Sequence, residues 1–464
     1  MAGLPVPGPQ LITDASDGPI AARIPRPVQS ILETLRGNGQ SAYVVGGSLR
    51  DILLGRSPRD WDLATDARPE ALQTLFPGAI YQNTFGTVAV QRDGVWHEIT
   101  TFRRDHDYAD FRRPHRVEFG ATIEEDLARR DFTVNALAWG ALPGEADHLV
   151  DLFGGQADLE RRRLIAVGVA TDRFGEDALR MIRAVRLAAQ LEFTIAAGTL
   201  AAISRQAELV RHLSGERIAR ELEKLLGADR PSIGLRLLEA TGLLREISPE
   251  LAAQRGVAQT KLAGEDLWDH TVRTVDAAPR DAPVVRLAGL VHDIGKPATA
   301  ADGHFIGHDT VGADLAEALL GRLHFPRVAI ERVGLLVRNH MFSYESSWSD
   351  TAVRRMIGRI GEPALAELLA LRAADNLGSG LSADAGGLDE LRTRIAEQIQ
   401  AKAVLDRSGL LIDGNDLITE LGAAEGPILG SVLDRLVEVV LNDPARNDRP
   451  TLLLLAQAML AEDG

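Results

Sequence analysis

The sequence predicts an α+β protein, in which a small mixed α/β head precedes a long all-α region. Between residues 27 and 142, short β-like runs (AYVVGG, TVAVQRDG, HEITTFRR and VEFG) alternate with helical stretches such as RPEALQTLF and NALAWG. After about residue 170 the pattern is almost entirely helical, from GEDALRMIRAVRLAAQL to RPTLLLLAQAMLAEDG. The 464 residues are too many for a single hydrophobic core, so several domains are expected. Residues 1–26, rich in Pro, Gly and Ala, predict a loose tail.

Composition restricts the class of protein. The chain contains no cysteine, and its first residues lack the basic start and apolar stretch of a secretory signal, so we expect a cytoplasmic protein without disulfides. No window approaches the roughly 18 apolar residues of a membrane span, so we expect no membrane partner. The formal net charge of −15 argues against RNA binding, which depends on Lys and Arg. Basic residues cluster in RRDHDYADFRRPHR (103–116), however, and a local basic track can hold RNA on an acidic protein.

Two carboxylates follow a glycine turn in the head. In YVVGGSLRDILLGRSPRDWDLAT an apolar strand leads into Gly46 and Gly47 and then a helix, with Asp60 and Asp62 on the next predicted strand. Glycines allow close backbone approach to a ligand, and a helix N-terminus offers N–H groups to phosphate. Alternate strand residues share a face, so the two aspartates suit Mg²⁺, and two such ions can serve an in-line displacement. Glu98, on a later predicted strand, is either a third ligand or a surface residue.

A second charged group lies in GEDALRMIRAVRL, where Asp177, Arg180, Arg183 and Arg186 recur at steps of three. On a helix such residues drift slowly around one side, which makes Asp177 and Arg180 neighbours. The pair is either an intrahelical ion pair or a base reader. Cytosine and adenine each carry an exocyclic amine beside an unprotonated ring nitrogen, which a carboxylate acceptor and a guanidinium donor match. Such a pair would select CTP and ATP without a nucleic-acid template.

Six candidate metal ligands lie in the helical middle of the chain. Their order, H…HD…H…H…D, resembles that of the HD phosphohydrolase superfamily, and they are His270, His292, Asp293, His308, His340 and Asp375. Imidazoles and carboxylates on neighbouring helices can hold divalent metals and lower the pKa of a bound water. Lys296 could balance phosphate charge. We expect a site for a divalent transition metal of unspecified identity, and the alternative is an HD module kept as a tRNA-binding scaffold.

The head motif GGSLRDILLG…DWDLAT resembles the nucleotidyltransferase superfamily that contains tRNA CCA-adding enzymes and bacterial poly(A) polymerases. LARRDFTVNALAW is similar to the second signature of that family, DLFGG to its third, and GEDALR to its E-D-x-x-R element. FRRDHDYADFRRPHRVEFG (102–120) resembles its flexible loop, and the similarity continues through HLSGERIARELEKLL to the C-terminal region. The resemblance implies Mg²⁺ at the head carboxylates. It also implies nucleotide contacts at Gly46, Gly47, Arg50, Arg129, Arg130, Asp177, Arg180, Arg183 and Arg186.

The same resemblance implies an order of domains and a function. The domains would be a nucleotidyltransferase head at 27–142, a base-selecting neck at 143–227, a helical body with the HD domain at 228–395 and a tRNA-binding helical tail at 396–464. The protein would add CCA to the 3′ end of tRNA from CTP and ATP, with a phosphohydrolase side activity at the HD site. Two alternatives remain. One is an A-adding enzyme or poly(A) polymerase of the same superfamily, and the other is an HD phosphohydrolase with a nucleotide-sensing head. The sequence does not specify an oligomeric state.

Overall fold

A seven-stranded mixed sheet organises the first of the two units, residues 1–249 and 250–464, into which the chain divides. The computed structural model describes residues 18–58, 60–82, 86–106, 116–259, 262–401 and 406–463. The strands of the chain are β1 (Ala42–Val45), β2 (Asp62–Thr65), β3 (Ile80–Tyr81), β4 (Thr87–Arg92), β5 (Val95–Thr101), β6 (Arg103–His106), β7 (Arg116–Phe119), β8 (Leu137–Ala141), β9 (His148–Asp151), β10 (Arg163–Leu164) and β11 (Thr194–Ile195).

The order of the large sheet is β3-β4-β5-β2-β1-β8-β9. Only the β2–β5 pair is parallel within it, and the other neighbouring strands are antiparallel. All four residues of β1 are buried, because this apolar strand lies inside the sheet. Strands β6 and β7 pair separately and lie within the segment 102–120 that resembles the flexible loop, whose centre at 107–115 lies outside the described residues.

Helices cover the sheet and form the rest of the first unit. They are α1 (Gly18–Arg23), α2 (Arg26–Gly37), α3 (Gly46–Leu53), α4 (Pro69–Leu75), α5 (Ile123–Ala128), α6 (Gly155–Glu160), α7 (Ala170–Glu176), α8 (Leu179–Leu191), α9 (Ala197–Gln206), α10 (Gly215–Leu226), α11 (Pro231–Ala240) and α12 (Leu243–Ile247). A short helix, α13 (Pro249–Ala252), spans the boundary between the units. The α/β head followed by helices confirms the predicted fold class.

Three local features differ from the sequence prediction. NALAWG was predicted to be helical, but Leu137–Ala141 form β8, since this short apolar run is buried between β1 and β9. Helix α1 lies within the segment predicted to be a loose tail, where Ile20 and Ile24 are buried. The predicted helix through GEDALRMIRAVRL is interrupted, because Asp177 has an extended backbone (φ −145°, ψ 105°) between α7 and α8.

The described part of the second unit is helical. Its elements are α14 (Leu267–Ala277), α15 (Pro283–Val291), α16 (Lys296–Thr299), α17 (His308–Arg322), α18 (Arg327–Asn339), α19 (Asp350–Ile360), α20 (Glu362–Gly378), α21 (Leu388–Gln400), α22 (Gly414–Leu421), α23 (Pro427–Asn442) and α24 (Arg449–Asp463). Helices α14, α15, α18 and α20 pack against one another, while Leu417, Leu436 and Leu452 belong to a core among the last three helices. No helix in the described part of the chain combines the length and apolar character that crossing a membrane requires.

Two candidate active sites

A polar cavity of about 590 Å³ lies in the first unit, where α3 begins. Its lining includes eight arginines, one lysine and three aspartates. The structure brings to this cavity all nine residues for which the resemblance implies nucleotide contacts, namely Gly46, Gly47, Arg50, Arg129, Arg130, Asp177, Arg180, Arg183 and Arg186. An excess of guanidinium groups suits a polyphosphate, because each can donate to phosphate oxygens in a bidentate way.

The two glycines of the turn differ in the space that a side chain would have. Gly46 has a φ of 71°, and a Cβ there would lie 2.8 Å from Arg130 Nη1 and 3.4 Å from Asp62 Oδ2. At Gly47 the nearest atom to an added Cβ would be Arg50 Nη2 at 3.5 Å, an ordinary contact. Glycine at position 46 therefore allows the backbone, a guanidinium and a carboxylate to lie this close together.

The head carboxylates come together through the parallel pair of strands. Asp62 begins β2, and its Cα pairs with that of Glu98 on β5, so the two side chains emerge on one face. Asp60 precedes the strand, and its side chain is exposed. The prediction that both aspartates lie on one strand is therefore wrong for Asp60. The reason is that β1, whose Val44 pairs with Leu63, ends at Val45 and offers no partner further along.

Electrostatics links these three carboxylates. Loss of hydration raises the pKa of Asp62, Arg130 opposes the shift, and the negative charge of Asp60 adds to it. The pKa of Glu98 is also raised, first by desolvation and then by Asp62 and Asp60. Among the described residues, sets of three ligand atoms within 4.8 Å of one another occur only in the second unit, so the head carboxylates are spaced more widely. A divalent cation would relieve their repulsion.

Buried aspartates hold the arginines of the cavity wall. Arg129 Nη2 and Arg130 Nη2 donate to the two oxygens of Asp126, at 2.6 and 3.1 Å. Arg183 donates to Asp131 Oδ2 through Nε at 2.8 Å and Nη2 at 2.6 Å. Burial alone would raise the pKa of both aspartates, but the neighbouring guanidinium charges lower it. The cations are therefore positioned before a ligand arrives.

Asp177 and Arg180 share the cavity without being paired to each other. Asp177 Oδ1 accepts from the backbone N–H of Leu179 at 3.0 Å, and its Oδ2 accepts from Arg217 Nη2 at 2.7 Å. The first of these bonds stabilises the break between α7 and α8. Arg180 instead donates to Glu176 Oε2 at 2.9 Å and to the carbonyl of Arg129 at 3.0 Å. The simple reading of an Asp177–Arg180 ion pair is therefore wrong.

The six predicted ligands of the second unit converge in a buried cluster. They come from α14, the C-terminal end of α15, the start of α17, the C-terminal end of α18, and α20. His270 Nε2 lies 3.1 Å from both His292 Nε2 and Asp375 Oδ1. Asp293 Oδ1 lies 3.4 Å from His308 Nε2 and 3.6 Å from His340 Nε2. Two sets with metal-ligand spacing result, and Asp293 belongs to both.

The orientation of the imidazoles fits a metal. The Nδ1–H groups of His292, His308 and His340 donate to backbone carbonyls at 2.9, 2.7 and 2.6 Å, so their Nε2 lone pairs face the cluster. Nε2 of His308 and Nε2 of His340 are buried and make no hydrogen bond with the described residues. Burial would raise the pKa of Asp293, but His292 lowers it well below its usual range. A buried set of imidazole nitrogens beside a carboxylate suits a divalent transition metal.

Comparisons with known proteins identify the domains of the chain. The family model described as the Poly A polymerase head domain matches residues 42–165, and the HD domain model matches residues 236–379. The model described as the probable RNA and SrmB-binding site of polymerase A matches residues 192–255, and the model described as tRNA nucleotidyltransferase domain 2, putative, matches residues 310–456. The CCA-adding enzyme of Geobacillus kaustophilus is 34% identical over 432 residues, which is 90% of this chain and 93% of that protein. The chain belongs to the CCA-adding enzyme family.

Other members of the CCA-adding enzyme family support the assignment. The CCA-adding enzyme of Levilactobacillus brevis is 34% identical over 424 residues, covering 91% of this chain and 95% of its own. The crystal structure of the Bacillus stearothermophilus enzyme in complex with CTP has a TM-score of 0.71 and 29% identity, covering 95% of this chain and 99% of that one. The Thermotoga maritima enzyme complexed with tRNA, at a TM-score of 0.60 and 21% identity, shares the fold over 98% of this chain and 100% of its own. This chain is therefore a tRNA nucleotidyltransferase of the CCA-adding family with an HD domain, and both domains imply divalent metals.

Several residues of the head cavity were not predicted individually. Asp131 and Asn135 lie in the second family signature, and Asn135 accepts from Arg50 Nη1 at 2.7 Å. Arg217 and Lys224 lie in GERIARELEKLL, the stretch noted for its family resemblance. The signal was therefore present in the sequence, but no local pattern shows which residues of a helix reach a distant cavity.

Proposed function

We propose that this protein adds CCA to the 3′ end of tRNA from CTP and ATP, without a nucleic-acid template. Family membership supports tRNA as the substrate, and the relatives are CCA-adding enzymes over nearly their full length. The observation that carries the proposal is that Asp177 and Arg180 line the same cavity as Asp62. Selection of a single nucleotide without a template requires that the residues that recognise the base and those that react lie in one cavity. This cavity has a volume of about 590 Å³.

Chemistry in the head would depend on Asp60, Asp62 and Glu98 as the ligands of Mg²⁺. When bound, Mg²⁺ would activate the attacking hydroxyl and stabilise the pyrophosphate leaving group. The 3′-hydroxyl of tRNA attacks the α-phosphate of the nucleotide, a new P–O bond forms, the bond to pyrophosphate breaks, and the hydroxyl proton is released to solvent. Arg129 and Arg130, held by Asp126, would keep the triphosphate in line for this displacement.

Base selection would depend on Asp177 and Arg180. A carboxylate has about four acceptor positions, and Asp177 uses one for Leu179 N–H and one for Arg217. It can still accept from the exocyclic amine of cytosine or adenine. Arg180 has five N–H donors and can donate to the adjacent ring nitrogen of the same base. Uracil and guanine present the reverse order, so neither satisfies both side chains.

Purified protein, Mg²⁺ and tRNA transcripts ending at the discriminator base, at C or at CC test this proposal. With CTP and ATP supplied together, every transcript should grow to CCA and stop. Addition of A to the CC-ended transcript alone would replace the proposal with an A-adding enzyme, and continued addition of A would indicate a poly(A) polymerase. Asp60→Ala should fold normally and incorporate nothing, and substantial incorporation by this variant would contradict the assignment of the head carboxylates.

A second activity is favoured by the buried cluster of the HD domain. We propose that His270, His292, Asp293, His308, His340 and Asp375 hold one or two divalent transition-metal ions and that the site hydrolyses a phosphate ester. The supporting observation is the buried Nε2 atoms of His308 and His340, since such atoms are stabilised by a ligand. When bound, the metal would lower the pKa of a water molecule. Phosphate release that survives Asp60→Ala and disappears in His292→Ala would support this activity, and the opposite pattern would refute it.

A further inference from the structure

A cavity of about 730 Å³ opens beside the metal-ligand cluster of the HD domain. Two of the candidate ligands, His308 and Asp375, line it, so a molecule bound there would reach the cluster. The size falls within the range of about 300–1,000 Å³ that is usual for single small-molecule ligands. The lining of this cavity indicates which phosphate ester the site accepts.

Two cations border the end of the cavity nearest the cluster. Lys296 is buried, and its Nζ lies 2.7 Å from Asp293 Oδ2. Arg372 Nη1 donates to Asp375 Oδ2 at 3.1 Å, and its guanidinium lies over the ring of Phe342 at 5.9 Å from the centroid. Each cation is thus held by a carboxylate of the cluster while lining the cavity. A phosphate group at this end would meet two positioned positive charges.

The rest of the lining is mixed: it contains polar residues, such as Gln259, His304 and Ser379, and a group of apolar ones. Ile306, Met341 and Leu381 belong to three separate segments, and their exposed fractions are 88%, 55% and 55%. Single exposed apolar residues are common, but these three gather at one cavity, where one ligand can contact them together. Phe305, which also lines the cavity, lies under Lys296 Nζ at 5.6 Å from its ring centroid. We call Phe305, Ile306, Met341 and Leu381 the apolar shelf.

The apolar shelf is anchored to the same elements as the ligands. The carbonyl of Phe305 accepts from His308 Nδ1–H at 2.7 Å, and Met341 directly follows His340 in the chain. The backbone N–H of Leu381 donates to the carbonyl of Asn376 at 2.9 Å, one residue beyond Asp375. The distance between the phosphate end and the shelf is therefore set by short connections, which is the condition for selecting a ligand by its shape.

We propose that this cavity selects phosphate monoesters whose organic part is one planar, largely apolar ring system, with the phosphate at Lys296 and Arg372 and the ring on the apolar shelf. The inference rests on the proposed hydrolase activity and adds its substrate class. In the reaction, a water oxygen bonds to phosphorus, the ester P–O bond breaks, and the alcohol leaves with the proton given up by water. Small inorganic anhydrides and sugar phosphates leave the shelf uncovered and bind more weakly.

Equilibrium binding of two phosphonates, which are not hydrolysed, tests the selection directly. Titration calorimetry with the full chain should show that phenylphosphonate binds about tenfold more tightly than methylphosphonate, because a partly buried ring contributes about 1.4 kcal/mol. Leu381→Gln and Ile306→Gln should remove most of this preference. Leu454→Gln, at a residue of α24 that is 70% exposed and does not line the cavity, should retain it. Equal affinity for the two ligands, or a preference unchanged in both shelf variants, would overturn the inference.

Arg372 has a separate test. Arg372→Met should weaken the binding of both phosphonates by a similar factor, and Arg372→Lys should restore part of it, since the phosphonate group is common to both ligands. A loss confined to phenylphosphonate would show that Arg372 does not position the phosphate.

Hydrolysis separates failure of this inference from failure of the proposed activity. Phenyl phosphate should be hydrolysed with a lower KM than glycerol phosphate, and the difference should shrink in Leu381→Gln. Hydrolysis of both esters with equal KM that is lost in His292→Ala would leave the activity standing and refute the selection. A shelf-dependent preference in binding without any hydrolysis would refute the activity and leave the selection standing.

Discussion

The variant Gly46→Ala tests whether the activity depends on the close approach of the start of α3 to Arg130 and Asp62. With a φ of 71°, any L side chain at this position costs about 1–2 kcal/mol. The new Cβ would also lie 2.8 Å from Arg130 Nη1 and 3.4 Å from Asp62 Oδ2. Because Nη1 is the far end of a flexible side chain, the guanidinium would move rather than prevent folding. Its bond to Asp126 Oδ2, now 3.1 Å, would then be strained or lost.

Gly46→Ala should therefore lower the free energy of unfolding of the first unit by about 1–2 kcal/mol, which is about 2–8 °C in Tm for a unit of this size. Loss of one charged hydrogen bond to the nucleotide, worth about 1.5–3 kcal/mol, should raise the KM for CTP by about tenfold to a hundredfold. Gly39→Ala is the matched control, since its φ is 75° but no atom lies within 4 Å of the added Cβ. It should lose the same stability and keep its KM.

Thermal unfolding and CMP incorporation into a tRNA transcript measure these two quantities. A wild-type KM in Gly46→Ala would refute the argument that this glycine serves the close approach. An equal rise in KM in Gly39→Ala would also refute it, because backbone strain alone would then account for the effect.

Three further predictions concern base choice, acid stability and metal content. Asp177→Ala should reduce the preference for CTP and ATP over UTP and GTP by about tenfold to a hundredfold in competition assays, whereas Asp172→Ala, at an exposed residue of α7, should not. Because the pKa of Asp131 is lowered on folding, its contribution to stability should be complete above about pH 4 and be lost as the pH falls through its lower folded value. Asp131→Asn should flatten this part of the acid-unfolding curve, and an unchanged slope would contradict the assignment. His292→Ala should lose divalent metal in elemental analysis of the purified protein, and His304→Ala, at an exposed residue outside the cluster, should retain it.

The features that follow local patterns could be predicted from the sequence. The glycine turn, the strand after it and the helical character beyond residue 170 each depend on neighbouring residues. The pairing of Glu98 with Asp62 depends instead on β5 lying parallel to β2, which no local pattern specifies. From the sequence, Glu98 was either a third metal ligand or a surface residue. The structure pairs its Cα with that of Asp62, and its role as a ligand stays a prediction.

Two local predictions failed, one because of tertiary packing and the other because of a local hydrogen bond. The short apolar run at Leu137–Ala141 is compatible with a helix or a strand, and burial between two strands selects the strand. The helical pattern of the sequence continues through Asp177, but its carboxylate accepts from the backbone N–H of Leu179, the first residue of α8. Side chains of Ser, Asp and Asn can bond to nearby backbone groups in this way, so a helix predicted through one of these residues can be interrupted there.

The HD ligands were predictable as a set, because their order along the chain is distinctive. The contact of Arg372 with Asp375, made within α20, was not predicted. In the head cavity, Arg217 lies in the family-like stretch GERIARELEKLL, but its contact with Asp177 of another segment was not predicted either. The apolar shelf is formed by segments that lie before α17, after α18 and after α20. None of these segments has a sequence pattern that predicts the shelf.

The break between α7 and α8 has a consequence for accuracy. A polymerase that copies a strand selects each base by pairing with a nucleic-acid template. Here base selection would depend on the backbone conformation of Asp177. That conformation depends on one amide and on Arg217, so local fraying at this break would blur the distinction between bases while Asp62 and its neighbours still react. On warming, errors in the added sequence should therefore increase before the rate of addition declines.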